Sequence, residues 1–222
     1  MLKQITNSAM VLGIVLVLAP AAKAALLSET ATYSYSVAPG FSGGTFYLDD
    51  IHGSTLGQLN TPFAAGDLND GAVHPNSNPT VGPANTMVAW DPTPLASTIT
   101  FDLGGAFSIS EVTVTTFAFS SFGLGTANDV TISYSSDNVS YSPGTLYSWA
   151  DAGNGSNAHA TGSAFDAARY VRLAFDGSTT TGDKWGLTEI SIEGGAPIPE
   201  PSTALLLVMG LVGLPLRRSR RR

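Results

Sequence analysis

Apolar and polar residues alternate one for one in several separate stretches of this chain, and no window carries the three-and-four spacing of a sustained amphipathic helix. Tyr33, Tyr35 and Val37 alternate with Ser34 and Ser36. Ile99, Phe101 and Leu103 do so with Thr100 and Asp102, and Val112 and Val114 with Thr113 and Thr115. The pattern returns at Val130, Ile132 and Tyr134, at Val171, Leu173 and Phe175, and at Ile190 and Ile192. Successive side chains of a strand point to opposite faces, so such runs, rich in β-branched and aromatic residues and ended by Gly, Pro, Asn or Asp, predict half-buried strands. Strands that follow one another without helices form antiparallel sheets, and two sheets face to face bury every apolar side. The expected fold is therefore all-β, an antiparallel two-sheet sandwich. One helical turn fits near Ala164 to Ala168.

Charge narrows the function. Of the cations, only Arg169, Arg172 and Lys184 lie between Ala25 and Pro197, against sixteen acids, a formal −13 for that segment. Such a surface repels phosphate backbones, which argues against nucleic acid as a partner, and suits divalent cations or neutral ligands such as sugars. The chain has no Cys, which excludes disulfides, thiolate metal sites and a Cys nucleophile.

Both ends read as addresses, giving three parts: residues 1–24, 25–197 and 198–222. Lys3, the apolar run Ala9 to Ala19 and the small-x-small site Ala22-Lys23-Ala24 have the form of a signal peptide with a helical apolar core. At the other end Pro199-Glu200-Pro201 precedes the apolar run Ala204 to Leu216, a transmembrane helix. Arg217, Arg218, Arg220, Arg221 and Arg222 then hold that terminus in the cytoplasm. The triplet, apolar segment and Arg cluster are similar to the PEP-CTERM sorting signal of Gram-negative bacteria. That resemblance implies recognition by an exosortase, a membrane-embedded Cys protease that cuts near the triplet. It also implies transient membrane anchoring and delivery to the cell surface or extracellular matrix, commonly in species that make exopolysaccharide. A nonspecific tail anchor is the alternative.

Fragments of the middle resemble the galactose-binding-like jelly roll, the discoidin or coagulation-factor-type C module. They are Asn69-Asp70-Gly71, Thr98 to Gly104, Ile109-Ser110-Glu111-Val112, Val130 to Asn138, Ala168 to Leu173 and Leu187 to Ile192. Sugar-binding members hold a structural calcium between the Asp-Gly loop and a Glu near the last strand, and the matching positions here are Asp70 and Glu189. Calcium takes about six to eight oxygens, partly from carbonyls, and Asp67, Asn69 and Thr80 are near enough in sequence to contribute. Asx-Gly is equally turn chemistry, which leaves a plain turn open.

Carbohydrate recognition needs an aromatic platform with polar groups fixing the hydroxyls. The candidates are Trp149 with Asp151 in a loop-like stretch, Trp185 before the last strand, Phe122 in the Ser/Gly-rich loop 120–125, and outward-alternating Arg172. Capping of the core is the alternative for either Trp, and an ion pair with a neighbouring acid is the alternative for Arg172. Catalysis has little support. Gly40-Phe41-Ser42-Gly43-Gly44 fits G-x-S-x-G, but a strand-like Thr45 to Leu48 follows where a nucleophile elbow requires a helix. His52 beside Asp49 and Asp50 has no second His at ligand spacing. The expectation is a non-catalytic, calcium-stabilised module that binds extracellular polysaccharide. A structural matrix protein without a glycan pocket and a secreted hydrolase are the alternatives.

Overall fold

A computed structural model describes residues 24–37, 39, 68–75, 87–90, 96–150, 153–162, 164–177, 179 and 184–197. Its strands are β1 (Ala25–Leu26), β2 (Thr32–Tyr35), β3 (Val88–Trp90), β4 (Ser97–Ala118), β5 (Leu124–Thr126), β6 (Asp129–Ser135), β7 (Thr145–Ser148), β8 (Gly155–Ala160), β9 (Phe165–Phe175) and β10 (Lys184–Pro197). Among the described residues, helix is limited to two 3-10 turns, Ser28–Thr30 and Ser120–Phe122.

The first layer runs β2–β4–β9–β6–β7 and the second β8–β4–β10, with β1 and β3 along the far side of β10. Strand β4 serves both layers because it is 22 residues long. Its start pairs with β2 and β9, its end with β8 and β10. The β4–β9 register slips between Asp102 and Phe107, where the strand passes from one sheet to the other, as strands do at sandwich corners. The two alternating runs at Ile99 and Val112 are thus halves of one strand. Pairing is antiparallel except for the short β5, which lies parallel to β10. The architecture is an all-β, two-layer sandwich.

The alternating residues explain why two layers form. Tyr33, Tyr35, Ile99, Phe101, Val130, Ile132, Val171 and Leu173 from the first sheet share one buried cluster with Val112, Val114, Leu187, Ile190 and Ile192 from the second. At one end Trp185 stacks on Trp90 with ring centres 4.0 Å apart and planes 12° from parallel, and Phe175 of the opposite layer stacks on Trp185 at 4.9 Å.

The helical turn expected at Ala164 to Ala168 does not form. Residues from Phe165 onward extend as β9, which stacks Phe165 on Tyr134 at 4.6 Å. The run of alanines satisfies helix propensity, but strand pairing and this ring contact override it. Ala167 has φ 60°, a left-handed conformation that costs an L residue about 1–2 kcal/mol and glycine almost nothing. Ala167→Gly is expected to raise stability by about 0.5–1 kcal/mol after the extra unfolded-state entropy of glycine is subtracted, measured by urea denaturation. An unchanged or lower midpoint refutes this.

Strands β7 and β8 carry no apolar alternation; β7 is mostly exposed and β8 mostly half-buried. They are edge strands held by backbone pairing to β6 and β4. The signal-peptide region, Gly40 to Gly44, His52, Asp67, Thr80, Asp151 and everything from 198 onward, including Pro199, Glu200, Pro201, Arg217 and Arg218, lie outside the described residues.

Candidate functional site

Two loops meet over Glu189 on the second sheet. Residues 27–31 are fastened to β10 by Leu27 N–H donating to Ile192 O (2.7 Å) and Ile192 N–H donating to Ser28 Oγ (3.1 Å). Residues 68–71 are fastened by Ile190 N–H donating to Leu68 O at 2.8 Å. Asn69 ties the two loops together, its buried Nδ2 donating to Ser28 O (2.8 Å) and Ala31 O (3.1 Å). That amide is a structural clamp. Its Nδ2 donors are engaged by backbone carbonyls, whereas a cation would take the amide oxygen.

Gly71 then sits against the acid. Its N–H donates to Glu189 Oε2 at 3.0 Å. Its φ is +77°, and a Cβ there would lie 3.3 Å from Glu29 Oε1, so both conformation and space favour glycine. Asp70 alongside accepts the Ala72 N–H at 2.8 Å. The turn reading and the acid cluster therefore hold together at the same loop. Glu189 is only 3% exposed and its Oε1 is buried with no hydrogen-bond partner. Burial, with the charges of Asp70 and Glu29 added, pushes its carboxyl up to about 8, against the opposing pull of the Gly71 N–H. A buried carboxylate with an orphaned oxygen is costly, and either a proton or a cation relieves it. Among the described residues no three His, Cys, Asp or Glu side chains form a ready metal cage.

The aromatic candidates separate. Trp185 is fully buried between Trp90 and Phe175. This corrects its assignment as a sugar platform, because both ring contacts belong to the core. Trp149 is half-buried just past β7 at the edge of the sandwich. Its indole N–H donates to Ala127 O, its backbone N–H to Asn128 O (2.9 Å), and its ring stacks on His159 of β8 at 4.3 Å and 7°. Burial lowers the His159 pKa, which keeps that imidazole neutral near pH 7, and Nε2 shares a hydrogen bond of 3.0 Å with Thr116 Oγ1. Phe122 ends the 3-10 turn whose Ser120 N–H donates to Asn154 Oδ1 at the start of β8.

Arg172 projects from the outer face of the first sheet. Its Nε donates to Ser133 Oγ at 3.1 Å and its guanidinium lies 3.7 Å from the centre of the Tyr141 ring. Neither contact was visible in the sequence, because Tyr141 returns from the β6–β7 loop. The ion pair on this face belongs to Arg169, whose Nε and Nη2 grip Asp102 at 2.9 and 3.0 Å. Trp149 and Arg172 do not share a cleft. Trp149 lies beside Asn128 and Arg172 pairs with Ser133, five positions and roughly 16 Å apart along that stretch of chain.

No family model matches the chain, nor does any curated protein. Similar solved structures include CpGH89CBM32-5 from Clostridium perfringens in complex with GalNAc-β-1,3-galactose, at 16% identity over 77% of this chain and 99% of that one, with a TM-score of 0.47. A chitosan-binding module of a chitosanase/glucanase from Paenibacillus sp. IK-5 is 18% identical over 76% of this chain and 98% of its own, with a TM-score of 0.44. A fucolectin from the serum of Morone saxatilis is 16% identical over 80% of this chain and 52% of its own, with a TM-score of 0.48. Likeness at this level concerns architecture and carries no argument about a ligand.

Proposed function

We propose that the chain is an exported, non-catalytic module that binds carbohydrate through the half-exposed Trp149, its Asp-Gly loop stiffened by calcium. Trp149 carries the reading. An amphipathic ring held by its N–H, its backbone and a neutral imidazole is pre-organised, so little side-chain entropy is lost when a sugar packs against it. Extracellular polysaccharide is the proposed ligand class. Export and exosortase sorting are supported by the signal-like N-terminus and the Pro199-Glu200-Pro201 tail.

For the cation, Glu189 through Oε1 and Asp70 are the proposed ligands, Glu29 adds negative charge, and carbonyl oxygens would complete the shell. A bound calcium would supply charge neutralisation at the buried carboxylate and fix the loop over β10.

Glycan-array and affinity-gel binding of the full chain in mild detergent, with calcium and with chelator, tests this reading. Trp149→Ala is expected to weaken glycan binding roughly tenfold while leaving the fold intact. Binding to no glycan at all would sink it and leave a structural matrix protein, the reading that burial of Trp185 favours.

A further inference from the structure

We propose that the outer face of the first sheet, centred on Arg172, binds the oxyanion of an acidic sugar residue, a uronate carboxylate or a sugar sulfate. This deepens the glycan-binding reading above and rests on it. Cross-strand register places Ser34, Thr100, Arg172 and Ser133 in one row across β2, β4, β9 and β6, with Asp102 and Tyr170 paired in the next. Directly paired residues share a face, and none of these six belongs to the apolar core. The result is a face four strands wide, set with hydroxyls and two guanidinium groups, with the Tyr170 ring beside them, the Tyr141 ring over Arg172 and Ser133 buried beneath it.

The two arginines differ in one respect. Arg169 already holds a carboxylate with the paired N–H fork that suits planar oxyanions. Arg172 has no acid within reach among the described residues, although sixteen acids lie in the segment. Its Nε is taken by Ser133 and its plane rests against Tyr141, which orients the head while its Nη groups make no protein hydrogen bond among the described residues. A cation held rigid and left without an anion is arranged to receive one.

The flanking groups choose the kind of anion. The Ser34 hydroxyl and the Tyr170 ring two residues along β9 match a ligand that presents hydroxyls and one acid, while the Thr100 hydroxyl holds Tyr141 over the guanidinium. They offer no apolar pocket for a peptide side chain, and the −13 charge disfavours a phosphate backbone.

Titration of the full chain at 0.15 M salt with polygalacturonate, its neutral methyl ester, dextran sulfate and polyglutamate tests this. Polygalacturonate or dextran sulfate is expected to bind at least about tenfold tighter than the ester, and which of the two binds identifies the oxyanion. Arg172→Lys and Arg172→Met should each lose roughly tenfold toward the acidic polymer while remaining folded, with midpoints lowered by only a few degrees for the lost Ser133 and Tyr141 contacts, Lys because it cannot form the fork. Equal binding of acid and ester, an unchanged affinity in Arg172→Lys, or equal binding of polyglutamate overturns the proposal. If Trp149→Ala abolishes neutral-glycan binding while Arg172→Lys changes nothing, this face is excluded and the glycan reading stands. If no glycan binds the unaltered chain, both fall.

Discussion

Stripped of divalent cations, the chain is expected to lose about 4 kcal/mol of stability as pH rises from 5 to 8, and Glu189→Gln is expected to remove that loss. The carboxyl titrates near its ordinary 4.5 once unfolded but near 8 when folded. Below pH 4.5 both states carry the proton and the full contribution is present. Above it the unfolded chain releases its proton while the folded chain still holds one, so folding is linked to proton uptake and stability falls. The fall ends near 8, where the buried group itself ionises. At 1.36 kcal/mol per pH unit the interval corresponds to roughly 4–5 kcal/mol, and local relaxation trims it. Asp102 works oppositely, since the Arg169 guanidinium lowers its pKa. Its contribution is lost only in acid, below the window in question.

Urea unfolding at pH 5, 6, 7 and 8 in chelator checks this, and a flat profile would mean that Glu189 is solvated. Calcium should restore the loss at pH 8, by about 2.7 kcal/mol at a hundred times its dissociation constant. Glu189→Gln, neutral at every pH, should be stable without calcium and indifferent to it. A calcium response that survives the substitution would place the ion elsewhere.

The acid cluster was legible in part. Asp70-Gly71 and Glu189 are 118 residues apart in sequence, and the resemblance of the loop and last strand brought them together. Glu29 was not legible, because a lone acid in a short 3-10 turn has no motif, and neither was the clamp that Asn69 makes, because its two carbonyl partners lie 41 and 38 positions away in the chain. The strands followed the same logic. Those buried on one face announced themselves by alternation, whereas β7 and β8 are edge strands with no buried stripe to encode. The long reach of β4 was hidden by Gly104-Gly105, which reads as punctuation yet lies within a continuous strand. Trp185 shows the remaining difficulty. Sequence places an aromatic near a loop, but whether its faces meet protein or water depends on partners such as Trp90, 95 positions earlier in the chain, with which it pairs across β3 and β10.

Trp185→Ala should therefore be the most damaging single substitution in the module, costing about 3–5 kcal/mol. The ring is wholly buried, stacks on Trp90 in its own sheet and meets Phe175 of the opposite one, so removal opens a cavity where the layers join. Neighbours cannot close it. Trp90 is anchored by its indole N–H to Val37 O at 3.0 Å, and Phe175 is fixed by its strand pairing. With a total stability of about 5–15 kcal/mol for a domain, the variant should melt roughly 10 °C lower or fail to accumulate folded. Trp185→Phe, which keeps a ring in the stack, should recover part of the loss. Trp149→Ala, at the half-exposed edge, should shift the midpoint far less and act on glycan binding instead. If Trp185→Ala kept its thermal midpoint and lost glycan binding, the ring would be a platform after all, and the stack with Trp90 and Phe175 would have to open in solution.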